Sequence, residues 1–229
     1  MTAGENGHSL HPVSQTPGRV PFYNVIAGHS LDRLAGISDG IFSVGMTLLV
    51  LGLTVPAVAG INGEGDLARA LSQLLPNAVT YAMSFLTLGI FWVAQQTQFS
   101  QLKTSDRNYT WIHIGFLLAV TLVPFSTGLL AHFITFRLAL LVYWLNILVL
   151  GFVLLAGAEY ALRTHLFQAE GEDQKIVIRV IRRRVLVAQA LYAVATALCV
   201  FNTYVSITLI VLIQLNYAIA PKIPLLHRL

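Results

Sequence analysis

A short charged motif that opens an otherwise uncharged stretch is the first place where this sequence could do chemistry. Arg33 and Asp39 lie six residues apart, and no charged residue follows between Gly40 and Pro56. In a helix this spacing separates two side chains by roughly 120°, so the two are poor partners for each other. A carboxylate beside an apolar stretch needs a donor, which we expect on another helix or another chain. The alternative is a surface acid that reaches water.

The uncharged stretch carries two stripes when its residues are placed at 100° intervals around a helix. Small and polar residues in membrane helices usually face other helices or a cavity. The pattern therefore leaves two interpretations open, a close helix–helix seam or a helix that lines a pore. The small and polar stripe contains Gly36, Gly40, Ser43, Thr47 and Thr54, and the alkyl stripe beside it contains Val44, Leu48, Leu51 and Val55.

A second candidate is a polar pair in the next two apolar stretches. Gln95 lies near the end of the second stretch, and His113 lies inside the third. If these stretches form antiparallel neighbouring helices, Gln95 and His113 come close together. We interpret the pair as a polar clasp between helices, with a proton-sensing histidine as the alternative.

Other chemistries lack the residues they need. The seven histidines never show the spacing of metal ligands on a helix, and no nucleophile elbow, phosphate-binding loop or dinucleotide motif is present. The single cysteine, Cys199, excludes an internal disulfide. We therefore expect no catalytic residue, no metal site, no cofactor and no enzyme activity.

The composition predicts an integral membrane protein. Hydrophobic residues make up 56% of the 229 residues and charged residues only 10%, whereas a soluble domain carries about 25% charged residues. The mean hydropathy is +0.72 and the sequence pI is about 9.4. Since the basic residues fall between the apolar stretches, we read the basic pI as a sign of membrane topology and not of a nucleic-acid partner.

Six apolar stretches predict an all-α fold with six transmembrane helices. The third contains Pro124, which predicts a kink. The polar residues 1–30 lack the hydrophobic core of a signal peptide, and we expect a disordered tail there, followed by a membrane domain over 31–221 and a short tail over 222–229. The six helices are predicted at about 34–56, 77–98, 110–131, 134–158, 185–201 and 205–220.

The distribution of positive charge predicts the orientation of these helices. With six spans both termini lie on one side, and 12 of the 14 Lys and Arg residues fall on that side. The other two, Arg69 and Arg137, fall on the opposite side. Cytoplasmic loops carry the excess of Lys and Arg, so we expect both termini in the cytoplasm.

The motifs resemble those of the transmembrane protein 175 potassium channels. That family has an Arg, three residues, then Phe-Ser-Asp, and here Arg33 precedes Ile37, Ser38 and Asp39, with Ile37 in place of the Phe. The resemblance continues over about residues 30–165. It includes the segments Ser84-Phe85, Phe91-Trp92 and Phe99, then Pro124-Phe125-Ser126-Thr127, and Asn146.

The same alignment shows two departures from the family. Relatives commonly have a His three residues after the Trp and an Asn eleven residues before the Pro, and those positions hold Gln95 and His113 here. The imidazole therefore stands on the other helix of the pair. A hydrogen bond between the two positions remains possible, but the pH behaviour of relatives does not transfer directly.

What the resemblance implies is a potassium-selective channel of the cell membrane, with potassium ions as the permeant species. The sequence has no Thr-Val-Gly-Tyr-Gly filter. Family members with one six-helix unit per chain form homotetramers, embedded in lipid, whose first helices line the pore. By this resemblance Val44, Leu48 and Leu51 form the hydrophobic constriction, and Ser43 and Thr47 are the adjacent polar groups. Arg33, Ser38 and Asp39 would tie the cytoplasmic helix ends together.

Two other functions remain open from the sequence. A secondary transporter or proton-permeable pathway needs an acid or base in mid-membrane, and only His113 qualifies. A membrane scaffold that transports nothing needs no such residue. Potassium flux separates all three, because it is passive in a channel, coupled in a transporter and absent in a scaffold.

Overall fold

The computed structural model describes residues 30–169 and 171–219, which form helices joined by short connections. Within these ranges there is no β-strand, and Leu102 and Phe167 form an isolated antiparallel bridge. The predicted tails, 1–30 and 222–229, lie outside the described residues apart from Ser30. The helices are α1 (Leu31–Leu49), α2 (Glu64–Gln73), α3 (Leu75–Phe99), α4 (Arg107–Thr121), α5 (Val123–His132), α6 (Arg137–Arg163), α7 (Gly171–Ala197) and α8 (Thr203–Ile219), with 3-10 turns at Val50–Gly52 and Leu198–Val200.

Five helical stretches in the described residues are long and apolar enough to cross a membrane, which agrees with the predicted all-α membrane fold. They are Leu31–Gly52, Leu75–Phe99, Arg107–His132, Arg137–Arg163 and Gly171–Val200. The sixth apolar helix, α8, is shorter. At 1.5 Å per residue its 17 residues extend only about 25 Å. Six crossings and the orientation of the termini therefore remain predictions.

The first helix ends earlier than the predicted 34–56. It begins at Leu31, where the Ser30 side chain accepts a hydrogen bond from the backbone N–H of Arg33, and its α-helical part ends at Leu49. The 3-10 turn ends at Gly52, a weak helix former, and Val55 directly before Pro56 also disfavours helical backbone. Thr54 and Val55, which the stripe pattern placed on this helix, therefore lie beyond it.

Two other boundaries differ from the sequence pattern for physical reasons. Pro124 divides the third predicted span into α4 and α5, with Leu122 between them and the proline in the first turn of α5, where its missing N–H costs little. The helix α7 starts at Gly171, 14 residues before the predicted start at 185. Charged residues there extend the helix beyond its apolar part, with Lys175 bonded to Glu172 at 2.7 Å.

The helices pack around one main apolar core. Its fully buried side chains come from most of the spans and include Phe42, Met83, Phe116, Tyr143 and Ile210. A second cluster lies where α1 and α4 begin and α3 and α6 end, around Leu34, Phe99, Tyr109, Ala158 and Phe167. These clusters position α1 against α3, α4 and α5.

Glycine permits the closest approach between α6 and α7. The Gln189 side chain lies directly against the α-carbon of Gly151, where any larger residue would collide with its amide nitrogen. From this position Gln189 Nε2 donates to the carbonyl of Ile147 at 3.1 Å. A buried amide therefore joins the two helices at a site that needs glycine.

Contacts at the helix ends hold the antiparallel arrangement. Asp106 accepts a hydrogen bond from the backbone N–H of Tyr109 at 2.7 Å, which caps α4. The other oxygen of Asp106 accepts from the Tyr160 hydroxyl at 2.7 Å, which brings the end of α6 beside the start of α4. At the opposite end of the bundle, Arg137 donates to the carbonyl of Val200 at 2.8 Å.

Candidate pore helix and its supporting network

The helix α1 has one buried face and one exposed face. Its buried residues recur every three or four positions, as expected for a helix with one face against a core. Gly45 allows close packing, because its α-carbon faces Leu88 and Val120. The buried residues are Leu34, Ser38, Phe42, Gly45 and Leu49.

The exposed face contains four of the five residues predicted to line a pore, and the fifth, Leu51, lies in the 3-10 turn that follows the helix. Val44 is 57% exposed, Leu48 46% and Leu51 69%. Ser43 and Thr47 are also exposed. Large alkyl side chains that are about half exposed mark a surface that meets lipid, another protein or a pore.

The Thr47 hydroxyl has a defined orientation on this face. It donates to the backbone carbonyls of Ser43 and Val44, at 3.1 Å and 2.8 Å. Since a hydroxyl has one proton and two lone pairs, the proton of Thr47 is used by its own helix. The oxygen remains available to accept a hydrogen bond or to coordinate a cation.

Ser38 connects the buried face of α1 to α4. Its Oγ lies 2.6 Å from Nε2 of His113 and donates to the carbonyl of Leu34 at 2.8 Å. Because the hydroxyl has a single proton, it accepts a hydrogen bond from His113, which makes the imidazole the Nε2–H tautomer. His113 is buried among the rings of Phe99, Tyr109 and Phe116.

Asp39 connects α1 to α3. One carboxylate oxygen, Oδ1, accepts from the indole Nε1 of Trp92 and from Nε2 of Gln96, each at 2.8 Å. Trp92 and Gln96 lie four residues apart and therefore on the same face of α3. The expectation that Asp39 meets a donor on another helix agrees with these bonds, although the carboxylate is exposed.

Arg33 stands apart from this network. Its side chain is exposed, and its backbone N–H forms the N-cap bond with Ser30. Within the described ranges the guanidinium forms no salt bridge with Asp39, which is the result expected from their 120° separation. Within the described residues the ties between helix ends come from Ser38 and Asp39, and the role of the Arg33 side chain stays a prediction.

The predicted clasp between Gln95 and His113 is not formed. Gln95 is fully buried, but among the described residues neither atom of its amide has a hydrogen-bond partner. His113 instead bonds to Ser38. The physical reason is that an acceptor on α1, the Ser38 hydroxyl, lies within reach of the imidazole, whereas the sequence pattern compared only the second and third spans.

A second buried polar network was not predicted at all. The Thr87 hydroxyl donates to the carbonyl of Met83 at 3.0 Å and accepts from Nε2 of Gln214 at 2.7 Å. The Tyr143 hydroxyl lies 2.9 Å from the same oxygen and donates to it, since the Thr87 proton is already used. These bonds join α3, α6 and α8. The only sequence signal was that each of these three apolar stretches contains polar residues.

No part of the described chain offers a metal site. Among residues 30–169 and 171–219, no three His, Cys, Asp or Glu side chains come together. From Gly40 onward the groups that α1 offers to a cation are hydroxyl and carbonyl oxygens, which are weak ligands individually.

Comparisons with known proteins match this arrangement of helices. Residues 33–124 match the family model described as the endosomal/lysosomal potassium channel TMEM175. A potassium channel of Streptomyces collinus is 35% identical over 102 residues, 44% of this chain and 48% of that protein. A potassium channel of Chamaesiphon minutus is 28% identical over 190 residues, 82% of this chain and 93% of that protein.

A solved structure extends the match to the fold. The crystal structure of a lysosomal potassium-selective channel TMEM175 homolog from Chamaesiphon minutus superposes with a TM-score of 0.71 and 25% identity, and the match covers 84% of this chain and 98% of that one. The chain is thus similar to TMEM175 channels in sequence over residues 33–124 and in fold over most of its length. The match to the Streptomyces relative spans about half of that protein's length. The family match includes α1, α3 and α4, the helices joined by Ser38, Asp39, Trp92, Gln96 and His113.

Proposed function

We propose that this chain forms a potassium-selective channel whose pore is lined by α1. The observation that carries the proposal is the two-faced character of α1. One face is fixed to the bundle through Ser38 and Asp39, while the other presents exposed alkyl side chains and the hydroxyl oxygen of Thr47. The names of the relatives support potassium as the permeant ion.

The constriction in this proposal consists of Val44, Leu48 and Leu51. Four copies around a common axis would bring each alkyl side chain into a ring. Such rings exclude bulk water and close a pore to ions by dewetting. The Thr47 hydroxyl, whose proton is held by its own helix, would turn its lone pairs toward the passing ion.

The assembly that this pore requires is a homotetramer in the cell membrane, with both termini in the cytoplasm. The large exposed apolar area of α1 supports assembly, because the α1 helix of a single chain cannot enclose a pathway for ions. The 12-to-2 division of Lys and Arg supports the orientation.

Ion flux into liposomes tests the proposed function. The purified full chain is reconstituted into liposomes. Potassium and sodium fluxes are then measured under an imposed membrane voltage. We expect passive potassium flux that follows the voltage and exceeds sodium flux. Flux that requires a second ion would indicate a transporter, proton flux without potassium flux would indicate a proton pathway, and no flux would indicate a scaffold.

A further inference from the structure

A crevice opens between α3, α7 and α8, away from the exposed face of α1. It has a cavity volume of about 90 Å³. Most of its walls are apolar, with Phe91 from α3, Leu154 from α6 and Val185 from α7. Tyr217, close to the end of α8, lies at the same end of the bundle. An apolar crevice at the membrane boundary favours hydrocarbon over water, and its volume suits a short stretch of one chain.

One arginine of a consecutive run faces this crevice. Arg184, Val185 and Ala188 line it, whereas Arg182 and Arg183 do not. Arg182 instead forms a salt bridge with Glu159 of α6, at 2.6 Å. The helix geometry therefore directs Arg182 toward α6 and Arg184 toward the crevice. Arg184 is exposed, so its guanidinium can meet an anionic group at the membrane surface.

Two buried amides add hydrogen-bonding capacity to the same crevice. Gln98 is 3% exposed and Gln189 is 6% exposed, and both line the crevice. Among the described residues, the side-chain oxygen of each has no hydrogen-bond partner. In Gln189 the hydrogen bond to the carbonyl of Ile147 identifies the amide nitrogen, because only the nitrogen can donate. The atom without a partner is therefore the oxygen. Buried acceptors without partners are costly, and a ligand with hydroxyl donors would satisfy them.

We propose that this crevice binds one anionic phospholipid with a hydroxylated headgroup. A short stretch of one acyl chain lies in the apolar crevice, the phosphate pairs with Arg184, and headgroup hydroxyls donate to the amide oxygens of Gln98 and Gln189. Basic pockets between membrane helices bind such headgroups, and a guanidinium is well suited to phosphate. The site is separate from the proposed pore, because none of its residues belongs to α1.

Lipid titration of the purified full chain tests this site, with phosphatidylglycerol as the probe and phosphatidylcholine as the neutral comparison. Bound lipid per chain is counted by native mass spectrometry. We expect phosphatidylglycerol to bind more tightly than phosphatidylcholine. Arg184→Gln should weaken phosphatidylglycerol binding about fivefold, the ratio expected from one basic contact at a membrane surface. Ala188→Phe should reduce binding of both lipids by filling the crevice.

Arg179→Gln is the matched control, because Arg179 lies on the same helix but does not line the crevice. It should bind phosphatidylglycerol like the unmodified chain. An equal loss in Arg179→Gln and Arg184→Gln would overturn the site, since the attraction would then be a general effect of positive charge. Equal binding of the two lipids by the unmodified chain would also overturn it. If Ala188→Phe does not fold, the comparison of the two arginine variants decides the question alone.

Discussion

Ser38 Oγ and His113 Nε2 lie 2.6 Å apart inside the bundle, although 75 residues separate them in the chain. The bond joins the buried face of α1 to α4. Because the Ser38 proton is donated to the Leu34 carbonyl, the imidazole supplies the proton of the interhelical bond. The position of α1 relative to its neighbours therefore depends on this pair and on the Asp39 bonds one residue further along the helix.

Replacing Ser38 by alanine tests the first of these ties. The change leaves the buried N–H of His113 without an acceptor, so we expect a loss of about 1–3 kcal/mol in the free energy of unfolding. Ser43→Ala is the matched control, because Ser43 lies on the exposed face of the same helix. Unfolding measured in detergent compares the two variants. Equal stability of Ser38→Ala and Ser43→Ala would show that the interhelical bond contributes nothing.

Asp39 should couple energetically to Gln96. Because the carboxylate is exposed, we expect a coupling of only about 1 kcal/mol, below that of a buried charged pair. A double-mutant cycle with Asp39→Ala and Gln96→Ala measures this coupling in the stability of the assembly. Additive losses would mean that the 2.8 Å bond in the structure is not maintained in solution. We also expect Asp39→Ala to affect assembly or gating more than ion selectivity.

Gly151 should tolerate no side chain. Gly151→Ala displaces the buried amide of Gln189 and its bond to Ile147, so we expect a loss of about 1–3 kcal/mol in stability. Gly115→Ala is the control, since Gly115 is an exposed helical glycine with open space around its α-carbon. That change should be neutral or stabilising. Thermal unfolding of both variants gives the comparison, and an unaffected Gly151→Ala would show that α6 and α7 can separate without cost.

The sequence predicted the membrane helices well because hydrophobicity over about 20 residues is a strong local signal. It also placed Val44, Leu48, Leu51, Ser43 and Thr47 together on one side of α1, since helical periodicity is local too. All five are exposed in the structure. Their role in a pore stays a prediction.

Partners across helices could not be read from the same pattern. Whether His113 meets Gln95 or Ser38 depends on how three helices rotate and slide against each other, which no local spacing determines. Trp92 and Gln96 were visible in the sequence, but their convergence on a single oxygen of Asp39 was not. The early end of α1 had a local signal in Gly52, a weak helix former that closes the 3-10 turn after the helix.

The orientation of the chain is tested by labelling both sides of the membrane. A reporter fused after Leu229 should lie in the cytoplasm, and a tag inserted within 60–66 should lie outside, because 12 of 14 basic residues fall on the predicted cytoplasmic side. Protease or thiol-reagent access in whole cells distinguishes the two positions. A reporter outside the cell at the C-terminus would contradict the six-span topology.

The central claim, that the exposed face of α1 lines the pore, is tested most directly by Leu48→Asn in reconstituted liposomes. Potassium flux, sodium flux and tetramer stability are measured for this variant and for the control Leu212→Asn, an exposed leucine on α8. If Leu48 forms a hydrophobic ring, the amide wets the constriction, so Leu48→Asn should raise potassium flux and weaken discrimination against sodium, while the control should not. Loss of the tetramer without any gain of flux, for Leu48→Asn and for Val44→Asn alike, would show that this face is a packing seam and would remove α1 from the pore.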